Sequence, residues 1–243
     1  MIDHKISFLL KLFDEFNSTN NIKVVDMGSG TSKDWIAVLK KYEHIEYTGI
    51  EFNKESILKA KDNLSFSDKV RFINEFGEFG ENKLNEEFDV VISLSVLEHV
   101  KYLNPFLQSS IRMLKKGGHL IHRYDLGHSL YPSSFSERIK VQICKSIPGL
   151  ISSTSFTTHP SKHSIVDYLS ENGIENIKIE QNQTPLFKTL INKLKHLDGK
   201  DDLIHEMIEF ERKLYSESKI VMIDKAIDKY FPSITISGTK ILN

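Results

Sequence analysis

An α/β architecture with a doubly wound, parallel sheet is encoded by the alternation of short apolar runs with helix-period segments across residues 22–125. The run Val24-Val25-Asp26-Met27-Gly28-Ser29-Gly30-Thr31 reads as a strand ending in a glycine turn at a helix start. Glycine leaves no Cβ between main chain and ligand, and a helix start carries N–H groups without intrahelical partners. Phe88 to Leu94 is nearly continuously apolar, as in a strand covered on both faces by helices.

The elements follow in order. Ile2, Ile6, Leu9, Leu10, Phe13 and Phe16 recur at helical spacing, which predicts an amphipathic helix beside the first strand or over the ligand. Residues 17–21 are a polar stop. Strand one is expected at Lys23 to Met27, a helix at Ser32 to Lys41, strand two at Glu46 to Ile50 and a helix at Lys54 to Leu64. Strand three is expected at Val70 to Ile73, then a polar loop from Gly77 to Glu87, and strand four at Phe88 to Leu94. A short helix is expected at Leu97 to Tyr102 and another at Pro105 to Leu114, closed by a cap and turn at Lys115-Lys116-Gly117-Gly118. Strand five is His119 to Tyr124. Beyond it, helices are expected at Phe135 to Ser146, Ser161 to Asn172 and Pro185 to Tyr230, the last broken near Asp198-Gly199. Ile174 to Glu180 and Ile234 to Ile241 supply strands six and seven. Residues 1–243 are read as one domain, with 181–232 a helical insertion serving as a lid or a contact between copies.

Composition narrows the function. The chain has 243 residues, is 40% hydrophobic and 27% charged, and has a net charge of −1. That balance gives no broad basic field for nucleic acid or an anionic membrane. The single cysteine, Cys144, excludes an internal disulfide and a cysteine metal cage. No run approaches the ~20 apolar residues of a membrane span, and no leader is legible. A cytoplasmic location is expected.

Ligands of such sheets sit at the carboxyl ends of the strands, where several polar residues fall. Glu51 closes strand two, and its carboxylate suits paired ribose hydroxyls. Phe52 follows it. Glu75 and Phe76 after strand three offer a polar and an apolar contact to an adenine edge and face. Ser93 and Leu94 end strand four beside the glycine turn. A nicotinamide dinucleotide is disfavoured, because Lys33 stands at the third glycine position of G-x-G-x-x-G.

Together, Val24-Val25-Asp26-Met27-Gly28-Ser29-Gly30, Glu51, Phe88-Asp89-Val90-Val91-Ile92-Ser93, Val96-Leu97-Glu98-His99-Val100 and Leu114-Lys115-Lys116-Gly117-Gly118 resemble class I S-adenosylmethionine-dependent methyltransferases in order and spacing. The resemblance covers about residues 20–125. It implies a seven-stranded Rossmann-like sheet of order 3-2-1-4-5-7-6, with strand seven antiparallel, and S-adenosylmethionine as cofactor. By the same resemblance Gly28 and Gly30 approach the methionine part, Asp26 orients it through its amine, Glu51 holds the ribose, Ser93 lies under the sulfonium, and Ser29 also belongs to the cofactor site.

An alcohol acceptor would need a base with a pKa near neutrality, for which histidine is suited. His99, His119, His122, His128, His159 and His163 fall within one stretch and are expected to face the ligand edge. Asp125-Leu126-Gly127-His128 resembles a stretch of some sugar O-methyltransferases, with Gly127 in place of an acid. The resemblance makes His128 the expected base, Asp125 its orienting partner and His99 the next candidate. Arg123, Tyr124, His159 and Lys162 are expected on the substrate side. Arg123 and Lys162, with Lys188, Lys193 and Lys195, could meet the phosphates of a nucleotide-sugar. Some related enzymes carry Glu-x-x-Glu-His and a divalent ion. Here Ser95 replaces the first Glu, so no metal is expected. The acceptor is expected to be a small molecule, favoured as a sugar of surface polysaccharide synthesis. A quinone precursor or natural product, or a binding protein that has lost chemistry, are the alternatives. Neither nucleic acid nor a membrane is expected as partner, and the insertion could join two copies.

Overall fold

The computed structural model describes residues 4–16, 21–84, 87–131, 134–147, 158–194, 199–222 and 224–241, without the side chains of residues 128, 144, 145, 221, 224 and 225. Its centre is one seven-stranded sheet of order β3-β2-β1-β4-β5-β7-β6. The strands are β1 (Ile22–Met27), β2 (Ile45–Glu51), β3 (Val70–Asn74), β4 (Phe88–Leu94), β5 (Leu114–Asp125), β6 (Ile174–Asn182) and β7 (Ser233–Lys240). β1 pairs in parallel with β2 and β4, β2 with β3, and β4 with β5. β7 runs antiparallel between β5 and β6, as the resemblance implied.

Alternation along the strands divides the core into two layers. Val24, Tyr47, Val90, Ile92 and Ile121 face one side, where α1 (His4–Glu15) brings Leu9 and Phe13, and the segment leading into α2 (Ile36–Lys41) brings Trp35. Val25, Met27, Ile50, Val91 and Leu120 face the other, covered by Phe106 and Leu107 of α4 (Leu103–Arg112) and by Ile165 and Leu169 of α7 (Lys162–Glu171). The remaining helices are α3 (Lys54–Asn63), α5 (Gly127–Leu130), α6 (Phe135–Ser146), α8 (Pro185–Leu194), α9 (Asp201–Val221) and α10 (Asp224–Tyr230). The last three lie between β6 and β7, where the sequence places its insertion. α3 opens on Asn53, whose side chain accepts from the amides of Glu55 and Ser56.

Three local expectations are corrected. Leu97 to Tyr102 is a turn, not a helix: His99 N–H donates to Val96 O at 2.8 Å, and Ser95 before it has φ +59°. Lys115 to Gly118 is not a helix cap. α4 ends at Arg112, Leu114 already pairs with Phe88, and the next four residues bulge from β5 before His119 pairs with Val90. Gly117, at φ +79°, makes the bulge possible. The polar loop after strand three contains a 3-10 helix, Gly77–Lys83. None of the helices is long and apolar enough to cross a membrane, among the described residues.

Candidate active site

At the carboxyl ends of β1, β2 and β4 lies a cleft of about 450 Å³, lined by Gly28, Glu51, Phe52, Glu75 and Phe76 on one side and by Ser95, Val96, His99 and Lys101 on the other. Parallel pairing sets the tips of β1, β2 and β4 side by side, so residues far apart in sequence meet here. Gly28, at φ +79°, turns the chain beneath Val96; a Cβ on it would approach Val96 Cγ2 to 2.7 Å. Gly30 is different. Its φ is +53°, yet a Cβ there would meet no protein atom within 4 Å. Its backbone form favours glycine, while the space above it is left for something other than protein.

The N–H groups expected to stay open at this turn are taken. Gly28 and Ser29 donate to Ile50 O at 2.8 and 3.0 Å, and Gly30 to Glu51 Oε2 at 2.9 Å. Glu51 Oε1 accepts from Asn53 N–H at 2.8 Å. The largely buried carboxylate is thus fixed at both oxygens by main chain and keeps further lone pairs for hydroxyl donors. Glu75 Oε1 accepts from the amide of Phe76. Phe52 and Phe76 stack on one another with centroids 5.0 Å apart and planes 7° apart, a contact between two exposed rings that nothing in the sequence announced.

Asp26 stands on the α2 side of the sheet. Its Oδ2 accepts from Trp35 Nε1 at 2.8 Å and Tyr47 Oη at 3.1 Å, while Oδ1 is buried without a partner. Burial pushes its pKa up to about 7 against the pull of those two donors. Oδ1 is the atom left for a donor such as an ammonium. Ser29 is buried with its hydroxyl lodged against β2, 2.7 Å from where a Cβ of Gly49 would stand.

Several expected site residues are placed elsewhere. Ser93 does not face the cleft: its Oγ lies 2.8 Å from His122 Nδ1, and His122 Nε2 lies 3.2 Å from Ser110 Oγ, all three buried between β4, β5 and α4. Burial drives His122 down to about 3, so it is neutral. Leu94 is buried in the layer under α1 and α2. Arg123 is not on a substrate face. It is buried, donates to His4 O, Ser233 Oγ and Asn182 Oδ1, and lies over the Phe8 ring. Lys162 is likewise buried, pairing with Asp228 at 2.6 Å and Gln181 at 3.2 Å. Tyr124 lies in the core with an unpartnered hydroxyl, and burial pushes its pKa far up.

Asp125 accepts from Gly127 N–H at 2.7 Å through Oδ1 and pairs with Lys188 of α8 at 2.6 Å through Oδ2. Lys188 is thereby drawn from the phosphate role. The side chain of His128 and all of Lys195 lie outside the described residues; the backbone of α5 carries residue 128 just past the β5 tip.

The histidines do not gather on one edge. His99 lines the cleft. His159 Nδ1 lies 2.8 Å from Ser129 Oγ, which is on α5. His119 is at the opposite end of β5, edge-on to Phe16 at 4.9 Å, His122 is in the core, and His163 is on α7. Glu98, beside His99, is buried; its Oε1 accepts from Asp125 N–H at 3.3 Å, so it ties the β4 tip to the β5 tip, and burial pushes it up to about 7. Sequence reading missed Val96 as the lid of the glycine turn and Ser95 as a cleft residue in left-handed conformation. A non-glycine residue held there is a mark of functional loops.

Comparison with known proteins agrees with this geometry. Residues 18–138 match a family model described as a methyltransferase domain. Among solved structures, phosphoethanolamine N-methyltransferase 2 of Haemonchus contortus, in complex with S-adenosyl-L-methionine, superposes with a TM-score of 0.62 at 15% identity, over 97% of this chain and 53% of that one. Geranyl diphosphate C-methyltransferase of Streptomyces coelicolor, with Mg²⁺, geranyl diphosphate and S-adenosyl-L-homocysteine, gives 0.58 at 14% identity, over 96% and 78%. The YcgJ protein of Bacillus subtilis gives 0.57 at 15%, over 98% and 100%. At these identities the structures speak for the fold, and the chain spans about half the length of the Haemonchus enzyme. With its glycine turn, its strand order and the matched domain, the chain belongs to the class I methyltransferases, whose cofactor is S-adenosylmethionine.

Proposed function

We propose that the protein transfers a methyl group from S-adenosylmethionine to a hydroxyl of a small molecule, with a sugar, free or nucleotide-linked, as the favoured acceptor. One observation carries the reading: a single cleft joins the Gly28 turn and the Glu51 carboxylate to an exposed histidine, His99, across the β1–β4 crevice. The open space over Gly30 and the orphaned Oδ1 of Asp26 fit the cofactor's tail, Glu51 its ribose, and Phe52, Glu75 and Phe76 its adenine. Bound there, the cofactor supplies a methyl group already activated by sulfonium charge. The chain's own part is to hold the acceptor oxygen in line, to exclude water and to take the hydroxyl proton on an imidazole nitrogen. His99 is the described histidine that lines the cleft; residue 128, next to the β5 tip, is the other candidate base.

The sugar reading is supported by Asp125-Leu126-Gly127-His128 at the edge of the site. Arg123, Lys162 and Lys188 no longer support a phosphate on the acceptor, because each holds other protein groups. Two of the similar structures are complexes with small phosphorylated compounds, phosphomonomethylethanolamine and geranyl diphosphate, in keeping with a small-molecule site here. The test is methyl transfer from labelled S-adenosylmethionine to a panel of sugars and nucleotide-sugars. Label in one of them is expected; label only in amines, quinone precursors or none would overturn the acceptor class. Replacing the true base, His99→Ala or His128→Ala, should lower turnover by about 10²-fold or more with cofactor affinity kept.

A further inference from the structure

α6 turns an apolar stripe away from the protein. Among its described side chains, Val141 is the one buried against the body. At 100° per residue, Phe135, Ile139 and Ile143 follow one another along roughly the opposite side of the helix. Phe135 is 76% exposed, Ile139 47%, and Ile147 just past the helix end 55%. Arg138 and Lys140, both exposed, flank the stripe on its two sides. Glu137 is the helix's one acid; it sits in the first turn, partly buried and off the stripe. Beside the stripe runs a groove of about 520 Å³ floored by Ser129 and Leu130 of α5.

We propose that this face of α6 docks on an anionic phospholipid bilayer, with the helix lying in the plane of the headgroups. Two features favour that occupant. An apolar stripe bordered by cations matches an interface that is negative at its surface and apolar a few ångströms below. A second copy of the chain fits worse, since a two-fold contact through the stripe would set Arg138 and Lys140 against their own counterparts. The net charge of −1, from which the sequence reading expected no membrane partner, averages over acids that lie elsewhere and hides this local sign. α6 follows the β5 tip, so docking would bring the carboxyl edge of the sheet close to the headgroups.

The test uses the full chain and sedimentation with vesicles. Vesicles of equal parts phosphatidylglycerol and phosphatidylcholine should carry the protein down, and pure phosphatidylcholine vesicles should bind it about 25-fold less, since each of the two cations near an anionic surface favours binding about fivefold. The double variant Phe135→Ser/Ile139→Ser should lose at least about tenfold of the binding while its circular dichroism is unchanged, because both side chains are already exposed. Arg138→Glu/Lys140→Glu should abolish the preference for phosphatidylglycerol. Failure of the native chain to sediment with the anionic vesicles would overturn the proposal. So would equal binding by the apolar double variant, or a change in self-association as its one effect.

Discussion

The amide of Gly30 donates to Oε2 of Glu51 at 2.9 Å, across the crevice between β1 and β2. With Asn53 N–H on the other oxygen, this aims one carboxylate at the space above the glycine turn. A carboxylate is an acceptor on both oxygens and a hydroxyl pair is a donor on both, so the proposed ribose contact matches the arrangement. Glu51→Ala should weaken S-adenosylmethionine binding by about tenfold or more, measured by calorimetry. Glu51→Gln should also weaken it, because its amide NH₂ would face a main-chain donor. An affinity unchanged in both variants would remove Glu51 from the site.

Gly28 and Gly30 should respond differently to alanine. Both have positive φ, a cost of about 1–2 kcal/mol for an L residue. At Gly28 the added carbon also meets Val96. Gly28→Ala should therefore lower the melting temperature more than Gly30→Ala, and Val96→Ala should restore part of the loss. Gly30→Ala should keep most of the stability and lose cofactor affinity. Equal melting temperatures with full affinity in both variants would contradict this account of the turn.

Asp26 makes stability fall as pH rises. Its pKa is about 7 in the folded protein against 3.8 as a free side chain, so the folded state binds the extra proton between those values. The folded chain is favoured below about pH 4 by this group, and that advantage is lost by pH 7. Asp26→Asn should remove the slope: the variant should gain stability relative to the native chain between pH 5 and 8 in urea denaturation. A parallel pair of curves would show that the carboxyl is ionised in the fold.

His122 works in the opposite direction. Its pKa is about 3 in the fold against 6.5 outside it, so the unfolded chain takes up the proton first. Its contribution is complete above pH 6.5 and is lost as pH falls toward 3. His122→Gln should flatten the acid limb of the stability profile, and the imidazole of the native chain should show no titration near pH 6.5 by NMR.

Most of the fold was legible because strand and helix periodicities survive in a sheet covered on both faces; β4 is found at its predicted bounds. The glycine turn was legible because positive φ favours glycine, and Glu51 stood out as an acid that closes a strand at the carboxyl edge of the sheet. Long charged side chains were not. Arg123, Lys162 and Lys188 looked like phosphate ligands, yet each is held by a group remote in sequence, which no local pattern reveals. Ser93 misled for a related reason. Its strand-end position is as expected, but the pleat turns its hydroxyl to His122. The Leu97 to Tyr102 helix was lost to the left-handed Ser95, whose N–H is drawn to Arg123 O at 2.7 Å.

The central claim is that adenosine and its sulfonium tail lie across the β1 and β2 tips, between the Gly28–Gly30 turn and Glu51. A crystal structure grown with S-adenosylhomocysteine tests it most directly. The ribose hydroxyls should be found on Glu51, with Phe52 and Phe76 parted from their stack. Ligand bound elsewhere, with this cleft vacant, would contradict it.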